Sequence, residues 1–169
     1  DLMAYSNTIM QNLTELNEPP QKTFQYIARF AELLAKYRGD GYLPCVEKRR
    51  MADGFYLHSI QPPCGSNTWI LQKGDDLLFI DCGFALYADE MHALLHTLFP
   101  DFDRMRRSIL LTHPDMDHSG LLRYFDTIYV SPVAHLHFEL ENAGKPAFRE
   151  QDRLNAPYCG MARILTGYQ

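Results

Sequence analysis

Four side chains of the types that bind divalent metals fall within six residues of one another. They are His113, Asp115, Asp117 and His118. Neutral imidazoles and carboxylates suit a divalent metal, and a loop at the end of a rigid strand can turn several of them toward one cavity. The run THPDMDHSG at 112–120, which holds all four, therefore predicts a metal centre. The alternative is that Asp117 or Ser119 caps a helix at 119–125, but capping needs one residue and explains neither the other acid nor both histidines.

A second pair, His92 and His96, is spaced i, i+4 within a predicted helix, which brings both rings to one face. This spacing can bind a metal. However, no third ligand stands beside the pair in the sequence, and leucines at positions 94, 95 and 98 mark the buried side. We therefore predict that these two histidines are solvated on the outer face of the helix.

The elements that position the loop are predicted from hydrophobic periodicity and turn residues. We predict strands at 55–60, 68–73, 77–81, 108–112 and 127–131, and helices at 86–99, 119–125 and 132–142. The strand at 108–112 is all-apolar at its centre, as expected for a strand covered on both faces. The alternation of strands and helices predicts a layered α/β domain.

The first fifty residues follow a helical period instead. An amphipathic helix is predicted at 21–38, because Pro19 and Pro20 precede it and Gly39 follows it. Residues 1–18 have a looser helical spacing. We therefore divide the chain into a helical N-terminal segment at 1–50 and a domain at 51–169.

The loop resembles the signature of the metallo-β-lactamase superfamily, HxHxDH after a central strand, in the variant register HxDxDH. Two further motifs support the resemblance in the family's order: SNTWIL at 66–71 and IDCG at 80–83. Together these motifs span about 52–140. The resemblance implies an αββα sandwich preceded by the short helical segment. The family completes its two-metal site further along the chain than the 51 residues that follow His118, so the resemblance implies the N-terminal half of such a domain.

The resemblance also implies roles for individual residues. His113 belongs to one metal position, Asp117 and His118 belong to the second, and Asp81 with Gly83 supports the site from below. Asp115 departs from the pattern, since the zinc hydrolases usually have histidine there. Flavodiiron proteins use HxExDH and often continue with Ser and Gly, as this chain does. An anionic oxygen in place of nitrogen favours harder metals, so two divalent ions are expected, zinc first, with iron or manganese as alternatives.

The function implied is that of a metal-dependent hydrolase. A metal-bound water would attack an ester, amide or phosphoester of a small-molecule substrate, and Asp117 would orient that water as the catalytic residue. One alternative is a di-iron protein that reduces or senses oxygen or nitric oxide, as Asp115 suggests. Another is a non-catalytic module with an incomplete metal site, in which case this chain alone is inactive.

Composition excludes several other classes. Lys and Arg number 16 against 21 Asp and Glu, a net charge of −5, and the longest basic run is 48–50, so a dedicated nucleic-acid binder is not expected. No apolar run approaches the roughly 18 residues of a membrane span. The four cysteines are isolated: Cys45, Cys64, Cys82 and Cys159. We expect free thiols in a reducing, cytoplasmic compartment, with a homodimer as the assembly to test.

Overall fold

The structure, a computed structural model, describes residues 2–143 and 161–164. The chain divides into two compact units, Asp1–Gly41 and Tyr42–Gln169. In the first unit, helix α1 covers Leu2–Glu15 and helix α2 covers Pro20–Ala35. Proline fits the first turn of α2 because its missing N–H would have no partner there. The helices predicted at 1–18 and 21–38 are thus present, and α2 ends earlier than predicted.

Seven strands of the described residues form one mixed sheet in the second unit, and they lie side by side in chain order. The strands are β1 Cys45–Ala52, β2 Phe55–Gln61, β3 Thr68–Lys73, β4 Asp76–Ile80, β5 Arg106–Leu110, β6 Thr127–Val130 and β7 Met161–Ile164. Strands β1 to β4 pair antiparallel, and β4 to β7 pair parallel. The predicted α/β class is confirmed. Among the described residues there is one sheet rather than the two of a complete αββα sandwich.

The helical segment expected at 1–50 is shorter than predicted, because strand β1 begins at Cys45. The strand lies at the edge of the sheet and pairs with β2 alone, from Cys45 opposite Gln61 to Ala52 opposite Phe55. All but one of its side chains are exposed. An edge strand with no buried face shows no alternation of apolar and polar residues, so the sequence carried no strand signal there.

Helices α3, Ala88–Leu98, and α4, Pro132–Asn142, follow β4 and β6 as crossover helices between parallel strands. Met91 and Leu95 of α3 join the buried cluster that includes Phe79 and Ile109 of the sheet. A parallel connection needs a long crossover, usually a helix, which is why strand and helix alternate here. The apolar spacing predicted both helices.

The prediction of a helix at 119–125 is wrong. Only a short 3₁₀ turn, Leu122–Tyr124, forms there. The reason is backbone packing, since a Cβ on Gly120 would lie 2.2 Å from the Ala85 nitrogen and 2.5 Å from the Gly83 carbonyl oxygen. Gly120 is therefore held against the segment after β4, and the chain enters β6 at Thr127 before a regular helix can extend.

Two predictions concern the cysteines and membrane-spanning segments, and the described residues bear on both. Cys45, Cys64 and Cys82 are free thiols, and Cys159 lies outside the described part of the chain. Within that part, every helix is too short or too polar to cross a bilayer.

Candidate metal centre

The candidate metal centre lies where three strands meet at one edge of the sheet. Strands β4 and β5 are parallel, so the residues that follow them emerge at the same edge. Asp81 directly follows β4. The 112–120 loop follows β5, from which it is separated only by Leu111. Strand β3 runs antiparallel to β4, which brings Ser66, just before β3, to that edge as well. The topology thus gathers residues that are distant in the sequence.

Asp81 is the buried centre of the hydrogen-bond network, with 8% of its side chain exposed. Its Oδ1 accepts from the Thr112 backbone N–H at 2.9 Å. Its Oδ2 accepts from the Thr112 hydroxyl at 2.7 Å and from His118 Nδ1 at 2.8 Å. Asp81 also adopts a left-handed backbone with φ of 58°, a conformation that is uncommon outside glycine. Three donors satisfy both oxygens, so this carboxylate fixes the ring of His118 and the start of the 112–120 loop.

The network assigns the proton on both imidazoles. A carboxylate only accepts, so the contact to Asp81 requires a proton on His118 Nδ1. The Thr112 hydroxyl gives its single proton to Asp81, so its 2.8 Å contact with His113 Nδ1 must be donated by that nitrogen. In the neutral form of each ring, Nε2 is therefore the nitrogen left with a lone pair. Fixing the tautomer in this way is the usual function of the residues behind a metal ligand.

The two Nε2 atoms face the two acids of the loop. His118 Nε2 lies 3.3 Å from Asp117 Oδ2, and His113 Nε2 lies 3.5 Å from Asp115 Oδ2. The rings themselves are close, with centroids 4.0 Å apart. The structure therefore places each of the two histidines beside one acid of the loop and beside the other histidine.

Asp117 is held from outside the loop. Its Oδ2 accepts a 2.6 Å hydrogen bond from the Ser66 hydroxyl, 51 positions earlier in the chain. Ser66 has a left-handed backbone with φ of 63°, next to Gly65 with φ of 93°. The turn at 62–66 before β3 thus fixes the orientation of Asp117 while 31% of that side chain remains exposed.

The backbone beneath the loop is fixed by Cys82, Gly83 and Gly120. The Gly120 N–H donates to the Gly83 carbonyl at 2.8 Å, and the Cys82 N–H donates to the His118 carbonyl at 2.8 Å. The Cys82 sulfur accepts from the Leu121 N–H at 3.2 Å. Burial raises the pKa of the Cys82 thiol, so it stays protonated and serves as packing. Gly83 supports the site through its carbonyl and its φ of 69°.

The donor set fits a divalent metal. One ligand atom from each of Asp81, His113 and His118 lies within 4.8 Å of the others, and the acids at 115 and 117 flank that group. Imidazole nitrogens with carboxylate oxygens suit zinc, iron or manganese. Because Asp81 already accepts three hydrogen bonds, we assign metal contact to His113, Asp115, Asp117 and His118 as a prediction.

Sequence reasoning missed three contributors: Ser66, Cys82 and Thr112. Thr112 stands directly before the first histidine, and a hydroxyl at that position could have been read as a partner for the ring. Ser66 and Cys82 lie inside the quoted motifs SNTWIL and IDCG, but local patterns give no sign that the serine reaches Asp117.

A cleft of about 620 Å³ at the other end of the parallel strands includes none of these residues. It is lined by residues such as Asp76, Arg106 and Asp126. Asp76 and Arg106 form a two-bond ion pair across the ends of β4 and β5. This cleft is therefore separate from the loop residues that could bind a metal.

Comparison with known proteins identifies the family. The sequence model of the metallo-beta-lactamase superfamily matches residues 61–158, more than half of the chain, and the chain belongs to that superfamily. The match includes both the IDCG turn and the 112–120 loop. The resemblance inferred from these motifs is confirmed.

Individual relatives are more distant. Ribonuclease J of Synechocystis sp. is 28% identical over 102 residues, which is 52% of this chain and 15% of that protein. A subclass B3 metallo-beta-lactamase of Bradyrhizobium japonicum is similar in structure, with a TM-score of 0.50, 15% identity and coverage of 71% of this chain and 45% of that one. A histidine-to-aspartate mutant of the flavo di-iron protein from Thermotoga maritima gives a TM-score of 0.50 at 16% identity, over 74% of this chain and 33% of that one.

These structural likenesses show the fold alone. The chain spans from less than a sixth to under half the length of these three relatives.

Proposed function

We propose that the protein is a metal-dependent hydrolase that acts on an ester, amide or phosphoester of a small molecule. Membership of the superfamily supports this class of reaction. The single observation that carries it is the pair of imidazoles whose Nδ1 atoms are hydrogen-bonded to Asp81 and Thr112, which directs both Nε2 atoms at the acids of the loop.

The ligands in this proposal are His113, Asp115, Asp117 and His118, and two divalent ions are expected. When bound, such ions polarise the bond to be cleaved and lower the pKa of a coordinated water to near 7, which provides a nucleophile at neutral pH. Imidazole nitrogens and carboxylate oxygens are ligands that zinc accepts. We propose zinc as the resident metal.

Asp117 is the proposed catalytic residue. Its Oδ2 is anchored by Ser66 at 2.6 Å and lies 3.3 Å from His118 Nε2, so its position among the ligands is fixed. Its other oxygen can orient an attacking water and take up the proton that the water loses. Anchoring one oxygen while leaving the carboxylate partly exposed suits a group that must both touch metal and meet solvent.

Replacement of Asp117 by Ala in the full chain tests the proposal. Zinc-dependent hydrolysis of p-nitrophenyl acetate, an anilide, bis(p-nitrophenyl) phosphate and a short RNA should be measured for both proteins. We expect turnover of one of the small molecules to fall by at least about 100-fold in Asp117→Ala, as loss of a positioned base predicts. Asp101→Ala, an exposed acid paired only with Arg104 at 4.0 Å, is the matched control and should keep full activity.

Unchanged turnover in Asp117→Ala would remove Asp117 from the mechanism. Absence of zinc-dependent turnover on every probe would contradict the hydrolase proposal as a whole. Cleavage of RNA alone would replace the small-molecule substrate with a nucleic acid.

Asp115 supports one alternative, a di-iron centre that reduces or senses oxygen or nitric oxide. Its Oδ2 lies 3.5 Å from His113 Nε2, so an anionic oxygen occupies the position next to that ring. Anionic oxygen shifts metal preference toward iron and manganese. Metal content of the chain, measured by mass spectrometry after growth in medium with iron and zinc, distinguishes the di-iron centre from the zinc hydrolase. Zinc alone contradicts the di-iron alternative, whereas iron with an optical band that responds to oxygen contradicts the zinc hydrolase.

A further inference from the structure

A second group of metal-ligand side chains lies along one side of helix α3, beside Phe102 and Tyr124. It consists of His92 and His96 on the helix and Asp103 in the 3₁₀ turn Phe102–Arg104, and we call these three residues the α3 cluster. One ligand atom from each lies within 4.8 Å of the other two. A third candidate ligand that the sequence did not show is thus supplied by the turn between α3 and β5, and the two histidines predicted to be solvated are half-buried.

The two rings of the α3 cluster are held together by the helix and by neighbouring aromatic rings. Their i, i+4 spacing brings the ring centroids within 4.6 Å. His92 stacks on Tyr124 with centroids 4.4 Å apart, and Phe102 meets both histidines edge-on at 5.9 and 5.6 Å. Aromatic packing therefore limits the orientations open to both imidazoles.

Asp103 presents one oxygen to the histidines and the other to a cation. His96 Nε2 lies 3.5 Å from Asp103 Oδ2, while Asp103 Oδ1 lies 3.5 Å from an Arg107 nitrogen. Arg107 is shared with Asp126 at 3.8 Å, so its positive charge is divided between two carboxylates. Arg123 is the other nearby cation, and it lies 4.0 Å from Asp89. Arg107 and Arg123 thus each also face an acid outside the cluster.

The protonation of His92 suits metal binding. Burial and the neighbouring His96 hold the pKa of His92 below its usual value, so this ring is neutral at pH 7, the form that binds metal. Two imidazoles and one carboxylate form a donor set for borderline transition metals, whereas magnesium and calcium prefer oxygen ligands. Ligands of a tetrahedral zinc lie about 3.3 Å apart, so small rotations of these partly exposed side chains complete the geometry.

We propose that the α3 cluster binds one divalent transition-metal ion, such as zinc, through His92, His96 and Asp103. This site is separate from the 112–120 loop and does not depend on the proposed hydrolase function. Three protein ligands leave a fourth position for water. Because the site links α3 to the turn that leads into β5, a bound ion joins the crossover helix to the strand that carries the loop. Binding to the folded state alone stabilises that state by mass action.

The test is a zinc titration of the full chain with ¹⁵N-labelled histidine, followed by ¹H–¹⁵N correlation spectra of the imidazole rings. Single His→Gln variants assign the ring signals. We expect the His92 and His96 nitrogens to shift together, and to do so also in His118→Gln, which disables the loop. Asp103→Asn should weaken this event by about tenfold or more, because one of three protein ligands is lost. Asp101→Asn, two positions away and paired only with Arg104, should leave it unchanged.

Two results would overturn the site. One is that zinc up to about 1 mM, a concentration that would reveal even a weak site, leaves both rings unchanged while His113 and His118 respond. The other is that Asp103→Asn binds as tightly as the unaltered chain. Urea unfolding in the presence of a chelator checks that each variant is folded, so a loss of binding is not mistaken for a loss of structure.

Discussion

The 112–120 loop and the α3 cluster each bring two imidazoles together with carboxylates, but they hold the rings differently. In the loop, each ring is fixed at Nδ1 by a hydrogen bond, to Asp81 for His118 and to Thr112 for His113. In the α3 cluster, the rings are placed by the helix and by stacking on aromatic neighbours. Hydrogen bonds choose the tautomer as well as the direction of a ligand, whereas stacking limits direction only. We therefore expect tighter metal binding in the loop.

The largest expected effect comes from Gly120, which fixes the loop and has no counterpart in the α3 cluster. In Gly120→Ala the added Cβ would lie 2.2 Å from the Ala85 nitrogen and 2.3 Å from the Phe84 carbonyl carbon. Backbone must move, so we expect a loss of about 3 kcal/mol or more in the free energy of unfolding, measured in urea. Gly74→Ala is the control, since its φ of 56° strains a side chain but leaves it in open space. Equal losses in the two variants would show that the loop is not held by this contact.

Asp81→Asn tests the hydrogen-bond network at its centre. Asparagine tolerates the left-handed backbone at this position, so the fold should be kept. The amide offers one acceptor where the carboxylate had two, and one of its donors would face a donor of His118 or Thr112. We expect zinc affinity of the loop to fall by about 10- to 100-fold, measured by competition with a chelating dye. The His92 and His96 ring signals should respond to zinc as before, and a parallel loss there would show that the two groups are coupled.

Thr112→Val removes a hydroxyl with little change in shape. His113 Nδ1 loses its acceptor, while Asp81 keeps the Thr112 backbone N–H and His118. The expected loss of zinc affinity is about tenfold, at the lower limit for a residue behind a ligand. Thr97→Val, whose hydroxyl bonds only to the Ala93 carbonyl on α3, should change nothing. An unchanged affinity in Thr112→Val would mean that the His113 ring is not held through this hydroxyl.

His58 provides a reference imidazole that belongs to neither group. It is 2% exposed, and its Nε2 lies 2.9 Å from Gln72 Oε1. Burial lowers its pKa below the usual value of about 6.5, so the unfolded chain binds a proton at a higher pH than the folded chain. The contribution of neutral His58 to the free energy of unfolding should therefore be fully present above pH 6.5. It should be lost as the pH drops toward the lower pKa of the folded state. This is the smallest of the four effects, and urea unfolding between pH 7.5 and 5.5 should show a shallower slope in His58→Gln.

The sequence predicted the parts that depend on local pattern. The apolar periods at 86–99 and 132–142 and the run at 108–112 located two helices and the central strand, because a buried face repeats at the period of its element. The 112–120 loop was singled out because four of its polar side chains lie within six residues. Strand β1 was missed, because an exposed edge leaves no pattern.

The parts that sequence could not show are contacts between distant residues. The bond from Ser66 to Asp117 spans 51 positions, and only the antiparallel pairing of β3 with β4 brings the two together. Asp103 lies seven positions from His96, and a 3₁₀ turn rather than a helical period places it near the ring. Gly120 stops the predicted helix through a backbone contact with residues 83–85. Each of these contacts depends on the tertiary packing of the chain rather than on which residues are neighbours in the sequence.

The contacts that build the loop centre have a consequence for the order of folding. Thr112 and His118 reach Asp81 across 31 and 37 positions, and Ser66 reaches Asp117 across 51. Closing such long stretches of chain costs entropy before any contact is gained, so these bonds form only when β3, β4 and β5 have paired. Before that step, the ligand side chains are present but their tautomers and directions are not fixed. The candidate metal centre is therefore a late product of folding, and zinc added to the unfolded chain should speed neither the pairing of β3, β4 and β5 nor the formation of the α3 connection between β4 and β5.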